Sequence, residues 1–128
     1  MIVLDTHAWL WWVSDPSKLG RASRRELGRA ARIGVPAICS LEVAVSAARG
    51  RVSLDRPPLD WLHDALALPR VEALALTPAI AVKAAELPQS FPGDPADRMI
   101  TATAILHAAV LVTKDERIRA FDGVRCLW

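Results

Sequence analysis

The chain opens with Met1-Ile2-Val3-Leu4-Asp5-Thr6-His7, in which a continuous apolar run ends in a polar turn. An apolar run without alternation is typical of a strand buried on both faces, as in a parallel sheet covered by helices. A carboxylate directly after such a strand lies at the carboxyl edge of the sheet, where open α/β sheets bind their ligands. The opening residues therefore predict a parallel sheet with a polar site at its edge.

Apolar runs and helix-like segments alternate along the rest of the chain. Further strands are expected at residues 34–39, 71–76, 109–113 and 124–127. Helical segments are expected over residues 7–13, 19–33, 40–49, 59–68, 78–87, 95–108 and 114–120. Strands separated by helices favour a parallel sheet covered on both faces. We therefore predict an α/β fold, a three-layer α/β/α sandwich with a central parallel sheet of four to five strands.

Length and composition restrict the class of protein. A chain of 128 residues matches the commonest domain size, so a single domain over residues 1–128 is expected. Hydrophobic residues make up 52% of the chain, which excludes disorder, and no apolar run is long enough to span a bilayer. The first residues lack the pattern of a signal peptide, so we expect a cytoplasmic protein with no membrane partner. Cys39 and Cys126 are then expected to be free thiols.

Four acidic residues, far apart in the sequence, each lie where an apolar strand ends or a helix begins: Asp5, Glu42, Asp97 and Asp115. Glu42 is expected in the first turn of a helix capped by Ser40. Carboxylates delivered to one sheet edge accumulate negative charge, which a bound cation offsets. Hard oxygen ligands suit Mg²⁺ or Mn²⁺, which can neutralise a phosphate and activate water. We predict one metal site with Asp5, Asp97 and Asp115 as ligands and Glu42 as the fourth catalytic acid.

Neighbouring polar residues are expected to support these acids. Thr6 and Thr113 are predicted to cap a helix or to hydrogen-bond a carboxylate. Asp94 is the expected N-cap of the helix that begins at Pro95. Asp94 and Asp97 are three residues apart at the same helix start, so either carboxylate can be the nearer ligand.

Basic and aromatic residues are the candidates for contact with nucleic acid. Three cations near the acids are predicted to hold phosphates: Arg98, Lys114 and Arg117. A basic stripe on the second predicted helix is either a solvated face or a phosphate track: Arg21, Arg25, Arg29 and Arg32. Trp9 and Trp12 are three apart and are expected to pack on the sheet, which leaves Trp11 for a protein contact or for base stacking.

Four motifs in this order resemble a known family: Val3-Leu4-Asp5-Thr6-His7-Ala8 with Trp11-Trp12, Ser40-Leu41-Glu42-Val43-Ala44, Asp94-Pro95-Ala96-Asp97-Arg98 with Thr101-Ala102-Thr103-Ala104, and Leu111-Val112-Thr113-Lys114-Asp115. The chain resembles the PIN-domain ribonucleases, and more closely the VapC-type toxins of type II toxin–antitoxin pairs. The likeness covers nearly the whole chain.

The resemblance implies an activity and partners. The acidic quartet of the family falls on Asp5, Glu42, Asp97 and Asp115, and Asp97 is preferred over Asp94 because the third acid of the family precedes this helix body. The implied activity is endonucleolytic cleavage of RNA that depends on Mg²⁺ or Mn²⁺. The implied partners are an RNA substrate, a small cognate antitoxin protein and a second copy of the chain in a homodimer.

Two other functions are compatible with an acidic pocket. A phosphatase-type enzyme that transfers phosphate through Asp5 needs a second acid two residues later, and that position holds His7. A non-catalytic binding module could capture an arginine of a partner protein in the pocket. The two alternatives differ from a nuclease in that neither cuts RNA when a divalent metal is present.

Overall fold

The central sheet consists of five parallel strands. The computed structural model describes residues 1–128, with strands β1 (Ile2–Leu4), β2 (Ile33–Pro36), β3 (Val71–Leu74), β4 (Val110–Val112) and β5 (Cys126–Leu127). Their order is β3-β2-β1-β4-β5. In the register of the sheet, Ile2 lies between Ile33 of β2 and Val110 of β4. The predicted α/β sandwich with a parallel sheet is confirmed.

Seven α-helices and a short 3₁₀ turn connect and cover the strands. They are α1 (Thr6–Ser14), the 3₁₀ turn (Pro16–Lys18), α2 (Arg21–Arg29), α3 (Ala37–Ala48), α4 (Pro58–Leu66), α5 (Pro78–Glu86), α6 (Pro95–Leu106) and α7 (Glu116–Arg119). None of these helices is both long enough and apolar enough to cross a membrane.

The core explains why the strand sequences are continuously apolar. Val3, Leu4 and Leu111 of the two central strands are completely buried, as are Trp9 of α1 and Ala104 of α6. Side chains on both faces of a central strand therefore pack against helices, which leaves no polar face for an alternating pattern. Trp9 packs edge-on against Trp61, with ring centroids 5.3 Å apart.

Several helix boundaries differ from the predictions, and two of them change the position of a predicted residue. Helix α3 begins at Ala37, directly after Pro36, so Ser40 is not its N-cap and Glu42 lies in the second turn. Pro36 has no N–H to extend the strand ladder and its φ is fixed near the helical value, so strand passes into helix without a loop. Helix α2 ends at Arg29, before Arg32, because Ala30 takes an extended conformation at its C-cap.

The basic stripe is therefore shorter than predicted. Arg32 lies outside α2 and donates two hydrogen bonds, of 2.8 and 2.7 Å, to the carboxylate of Glu72. Arg21, Arg25 and Arg29 are exposed on α2. Cys39 is buried and Cys126 half-buried, and both are free thiols, as predicted.

The sheet order positions the site. Strands β1 and β4 are neighbours at the centre of the sheet, and α1 and α7 begin just beyond their carboxyl ends. The backbone N–H of Asp5 donates to the carbonyl of Val112 at 3.1 Å, which fixes the two strand ends side by side. Helices α3 and α6 pack against each other and bring their own acids to the same edge.

Candidate active site

A cleft of about 680 Å³ lies at the carboxyl edge of the sheet. The four predicted acids all line it, although they come from four separate elements. The lining residues are Asp5, Thr6, His7, Trp11, Glu42, Asp94, Asp97, Ile100, Lys114, Asp115 and Glu116. The cleft thus contains six carboxyl groups and one lysine.

Asp5 and Asp115 each cap the helix that follows their strand. The Asp5 Oδ1 accepts a hydrogen bond from the backbone N–H of Ala8 at 2.8 Å. The Asp115 Oδ1 accepts from the N–H groups of Arg117 and Ile118 at 2.8 and 3.2 Å. Capping and lining the cleft are therefore compatible, because each cap uses Oδ1 and leaves Oδ2 for another partner.

Hydroxyl groups support two of the acids. Thr6 is buried, and its Oγ1 donates a hydrogen bond to Oε1 of Glu42, which joins the start of α1 to α3. Thr113 is also buried, and its Oγ1 accepts from the N–H of Asp115 at 3.1 Å. Hydrogen bonding to Thr113 also favours the ionised form of Asp5. Both threonines thus orient or stabilise acids of the cleft.

Burial and mutual repulsion raise the pKa of two carboxyl groups in the cleft. The pKa of Asp97 is raised to about 6, first by burial and then by the charges of Asp94, Asp115 and Glu42. Burial raises the pKa of Asp5, against the hydrogen bonds from Thr113 and Ala8 and the charge of His7, and Glu42 raises it further. The ionised site is thus unfavourable without a compensating positive charge.

The pKa of Asp115 is lowered rather than raised, because this carboxyl group is less buried than those of Asp5 and Asp97. Burial acts to raise its pKa, but hydrogen bonds from Ile118 and Arg117 and the charge of Arg117 outweigh burial and lower it. The Arg117 guanidinium lies 3.4 Å from Asp115 Oδ2. Arg117 is the only cation that forms an ion pair with any of the four acids.

Asp94 and Asp97 have different hydrogen-bond partners at the start of α6. Asp94 is exposed, and its Oδ1 accepts from the N–H groups of Ala96 and Asp97 at 2.8 and 3.3 Å. The Asp97 carboxylate is half-buried and accepts no hydrogen bond from the protein. Asp97 therefore has both oxygens available, while Asp94 uses one to cap the helix.

The three cations predicted to bind phosphate have different surroundings. Lys114 lines the cleft, with its Nζ 5.8 Å from the centre of the Trp11 ring. Arg117 is exposed beside Asp115. Arg98 does not line the cleft. Its guanidinium donates hydrogen bonds to carbonyl groups at the end of α5 and in the segment that joins α5 to α6: those of Ala84, Leu87, Pro88 and Pro92, at 2.9 to 3.1 Å.

The donor set of the cleft suits a hard divalent cation. Carboxylate oxygens are the preferred ligands of Mg²⁺, which keeps several waters and commonly binds through only one or two carboxylates. No three acidic, histidine or cysteine side chains stand close enough to form a closed cluster around an ion. An open group of carboxylates, in which the pKa values of Asp5 and Asp97 are raised and only Asp115 is ion-paired, fits a cation that retains part of its water shell.

Comparison with known proteins identifies the family. The PIN domain family model matches residues 2–124. The chain belongs to the PIN-domain family. This PIN-domain chain is 42% identical over 119 residues to Ribonuclease VapC22 of Mycobacterium tuberculosis, covering 93% of the chain and 90% of that relative. The likeness places it among the VapC-type members.

Solved structures show the same fold. A chain of VapBC2 from Rickettsia felis, in a crystal structure with a DNA fragment from its promoter, is similar with a TM-score of 0.74 and 18% identity, covering 99% of this chain and 98% of that one. A chain of a toxin–antitoxin complex from Klebsiella pneumoniae is similar with a TM-score of 0.70 and 22% identity, covering 97% and 95%. These PIN-domain likenesses concern the fold.

Sequence reasoning did not place Trp11 and His7 in the cleft. Both line it, and their rings lie 5.7 Å apart between centroids. The sequence does contain an indication of this placement. His7 and Trp11 are four residues apart and so share one face of a helix, and α1 begins immediately after the site residue Asp5. Trp12, on a different face of the same helix, is half-buried against the core.

Replacing Asp97 with asparagine should stabilise the metal-free protein. The pKa of Asp97 is higher in the folded than in the unfolded chain, so wild-type stability falls as pH rises from about 4 to about 6. After a discount for solvent screening of this partly exposed group and for loss of a favourable first-turn charge, the free energy of unfolding of Asp97→Asn above that range should exceed that of the wild type by about 1–2 kcal/mol. Thermal melting is measured with chelator between pH 4.5 and 7.5. The difference in melting temperature between Asp97→Asn and the wild type should widen up to about pH 6. A difference that stays constant with pH contradicts the raised pKa of Asp97; the exposed Asp60→Asn variant is the control.

Replacing Arg98 with alanine should destabilise the fold by about 2–4 kcal/mol, because four carbonyl groups lose a charged donor. Arg98→Lys should also destabilise, since an ammonium cannot reproduce the planar fork. Urea denaturation measures both effects, with Arg24→Ala, an exposed arginine without an ion pair, as the matched control. Equal stability of Arg98→Ala and Arg24→Ala contradicts this structural role.

Proposed function

We propose that this PIN-domain chain is an endoribonuclease that depends on Mg²⁺ or Mn²⁺ and acts in the cytoplasm as the toxin of a toxin–antitoxin pair. The observation that carries the proposal is the convergence of Asp5, Glu42, Asp97 and Asp115 on one cleft. Three of the four have no ion-pair partner within the protein, so the cleft is suited to a cation. The name of the relative Ribonuclease VapC22 supports RNA as the substrate.

The acids have separate roles in this proposal. The metal is held by Asp5, Asp97 and Asp115. Glu42 completes the catalytic set from helix α3, which packs against α6. A bound divalent ion neutralises the charge of the scissile phosphate and makes water a better nucleophile. Asp94, beside Asp97, adds a second carboxylate at the start of α6 without giving up its cap.

Neighbouring residues of the chain prepare the site for this chemistry. Thr6 donates to Glu42 and holds that carboxylate in one orientation over the cleft. Thr113 favours the ionised form of Asp5, which is the form that binds a cation. Lys114 at the rim is the cation best placed to bind a phosphate next to the cleaved bond, and Arg117 can bind another when RNA competes with Asp115.

The partners follow from the family. A small cognate antitoxin is proposed because a chain of similar fold occurs in a toxin–antitoxin complex from Klebsiella pneumoniae. A homodimer is proposed because the resemblance to VapC-type toxins implies one. An antitoxin that inserts a cationic side chain into the acidic cleft would compensate the same carboxylates as a metal, so inhibition and arginine capture are compatible in one protein.

Asp5→Asn should reduce cleavage at least about 100-fold while the fold stays intact. Asparagine keeps the oxygen that caps α1 through Ala8 but lacks the charge that holds a cation. Cleavage of a labelled single-stranded RNA is measured in Mg²⁺, in Mn²⁺ and in chelator, with Asp60→Asn as the control for loss of an acid outside the cleft. Wild-type protein should cut with either metal and stop cutting in chelator.

Two outcomes contradict the proposed function. Full activity of purified Asp5→Asn, from a preparation free of other nucleases, removes the acid site from the mechanism. Binding of RNA or of an arginine-bearing peptide by the wild type, with no cutting in either metal, favours the non-catalytic binding module. Melting curves of Asp5→Asn and Asp60→Asn establish that both variants are folded.

A further inference from the structure

A second groove of about 500 Å³ opens beside the acidic cleft. It lies between α1, the 3₁₀ turn, the end of α3 and the segment that follows α3. Four residues line both cavities and mark the passage between them: Thr6, His7, Trp11 and Glu42. A ligand that enters the cleft can therefore continue into the groove.

The groove differs from the cleft in charge. Lys18 and Arg51 line it, both are exposed, and neither makes an ion pair or a side-chain hydrogen bond with the protein. Three serines line the same groove, Ser14, Ser46 and Ser53, and of these the Ser14 hydroxyl donates to the carbonyl of Leu10. Its only acid is Glu42, at the boundary with the cleft. Free cations and hydroxyl groups are the side chains that bind phosphate oxygens.

Trp11 stands where the two cavities meet. Its ring packs edge-on against Trp128, with centroids 5.7 Å apart, and lies 5.7 Å from the His7 ring. The ring is half-buried and is held by these neighbours, so little side-chain freedom remains to be lost when a base stacks on it. The Nζ of Lys114, 5.8 Å from the ring centre, places a cation on the cleft side.

We propose that a single strand of RNA passes from the acidic cleft over Trp11 into the second groove. One base stacks on Trp11, and Lys18 and Arg51 bind the phosphates that follow it. This inference rests on the proposed function and adds the path of the substrate on one side of the cleaved bond. Both cavities lie within the range of about 300–1,000 Å³ that is typical of small-ligand pockets, which suits nucleotides bound one after another.

Single-stranded RNA fits this path better than a protein segment does. A polyanion that meets only carboxylates is repelled, and cations beside the acids supply the attraction that the cleft lacks. Stacking on an aromatic ring tolerates any base and needs an unpaired strand. Eight of the twelve residues that line the groove are polar or charged, whereas a groove that anchors a protein helix is mainly apolar.

The groove cations are tested with the double variant Lys18→Ala/Arg51→Ala. The matched control is Lys83→Ala/Arg24→Ala, which removes the same net charge from helices that do not line either cavity. Binding of a fluorescein-labelled 12-nucleotide single-stranded RNA of random sequence is measured between 50 and 300 mM salt. All proteins carry Asp97→Asn to prevent cutting.

The double variant should bind at least about tenfold more weakly than the control at low salt. Its plot of log affinity against log salt should be shallower by about 1.4, because each lost phosphate contact on a single strand contributes about 0.7. Cleavage is measured separately in proteins that retain Asp97. There the double variant should have a higher KM than the control, with kcat within about twofold of the control. Equal affinity and equal slope for the two double variants overturns the groove as an RNA path, and a groove that binds only protein gives this result.

The stacking contact is tested with Trp11→Ala and Trp11→Phe. Alanine should weaken RNA binding by roughly five- to hundredfold at every salt concentration without changing the slope, since stacking involves no counterion release. Phenylalanine keeps an aromatic face and should restore most of the affinity. Equal affinities of alanine and phenylalanine variants, both folded by melting, overturn the stacking role.

Failure of this inference differs from failure of the proposed function. The wild-type protein in Mg²⁺ and in chelator tests metal-dependent cutting alone. The binding comparison uses no metal and concerns only Lys18, Arg51 and Trp11. Metal-dependent cutting combined with unchanged binding by these variants retains the nuclease and rejects the path.

Discussion

Carboxylates that are brought together at one edge of the sheet repel each other, and this repulsion governs the chemistry of the cleft. Parallel strands that end side by side place their following residues together, and here Asp5 and Asp115 follow β1 and β4. Helices α3 and α6 then add Glu42 and Asp97, and burial removes the water that would screen them. Burial, and then the charges of Asp94, Asp115 and Glu42, accordingly raise the pKa of Asp97. Stability is thus reduced at the site that needs charge for function.

Helix capping offsets part of that repulsion and ties local folding to the site. Asp5 and Asp94 accept backbone N–H groups at the starts of α1 and α6, so each site carboxylate also satisfies donors that would otherwise lack partners. The positive ends of those two helices face the cleft and favour negative charge there. Most substitutions of Asp5 or Asp94 therefore remove the helix cap together with the acid. Asparagine separates the two effects, because it keeps a capping oxygen and lacks the negative charge.

The sequence allowed prediction of features that depend on local chemistry, while features set by distant contacts were missed. Apolar runs ending in Asp5 and Asp115 identified strands and their ends, because burial on both faces requires continuous apolar residues. The start of α3 was placed too late, since Ser40 is a residue type that commonly caps helices and the sequence alone does not show that β2 ends at Pro36 and the helix begins at Ala37. Arg98 was predicted to bind phosphate. The sequence does not show that the end of α5 and the segment after it lie against Arg98, so their carbonyl groups were not recognised as its partners.

The net charge of +2 conceals a separation of charges that suits a polyanionic substrate. A site that cleaves a phosphodiester through a cation must collect acids, and those acids repel the substrate until the cation is bound. Attraction then has to come from the flanks, where Lys114, Lys18 and Arg51 lie around the acidic centre. Contacts to flanking phosphates are made equally in the ground state and the transition state, so they improve binding of the strand and leave the chemical step to the acids. In the proposed path, the groove therefore serves substrate binding and the cleft serves catalysis, both at one edge of the sheet.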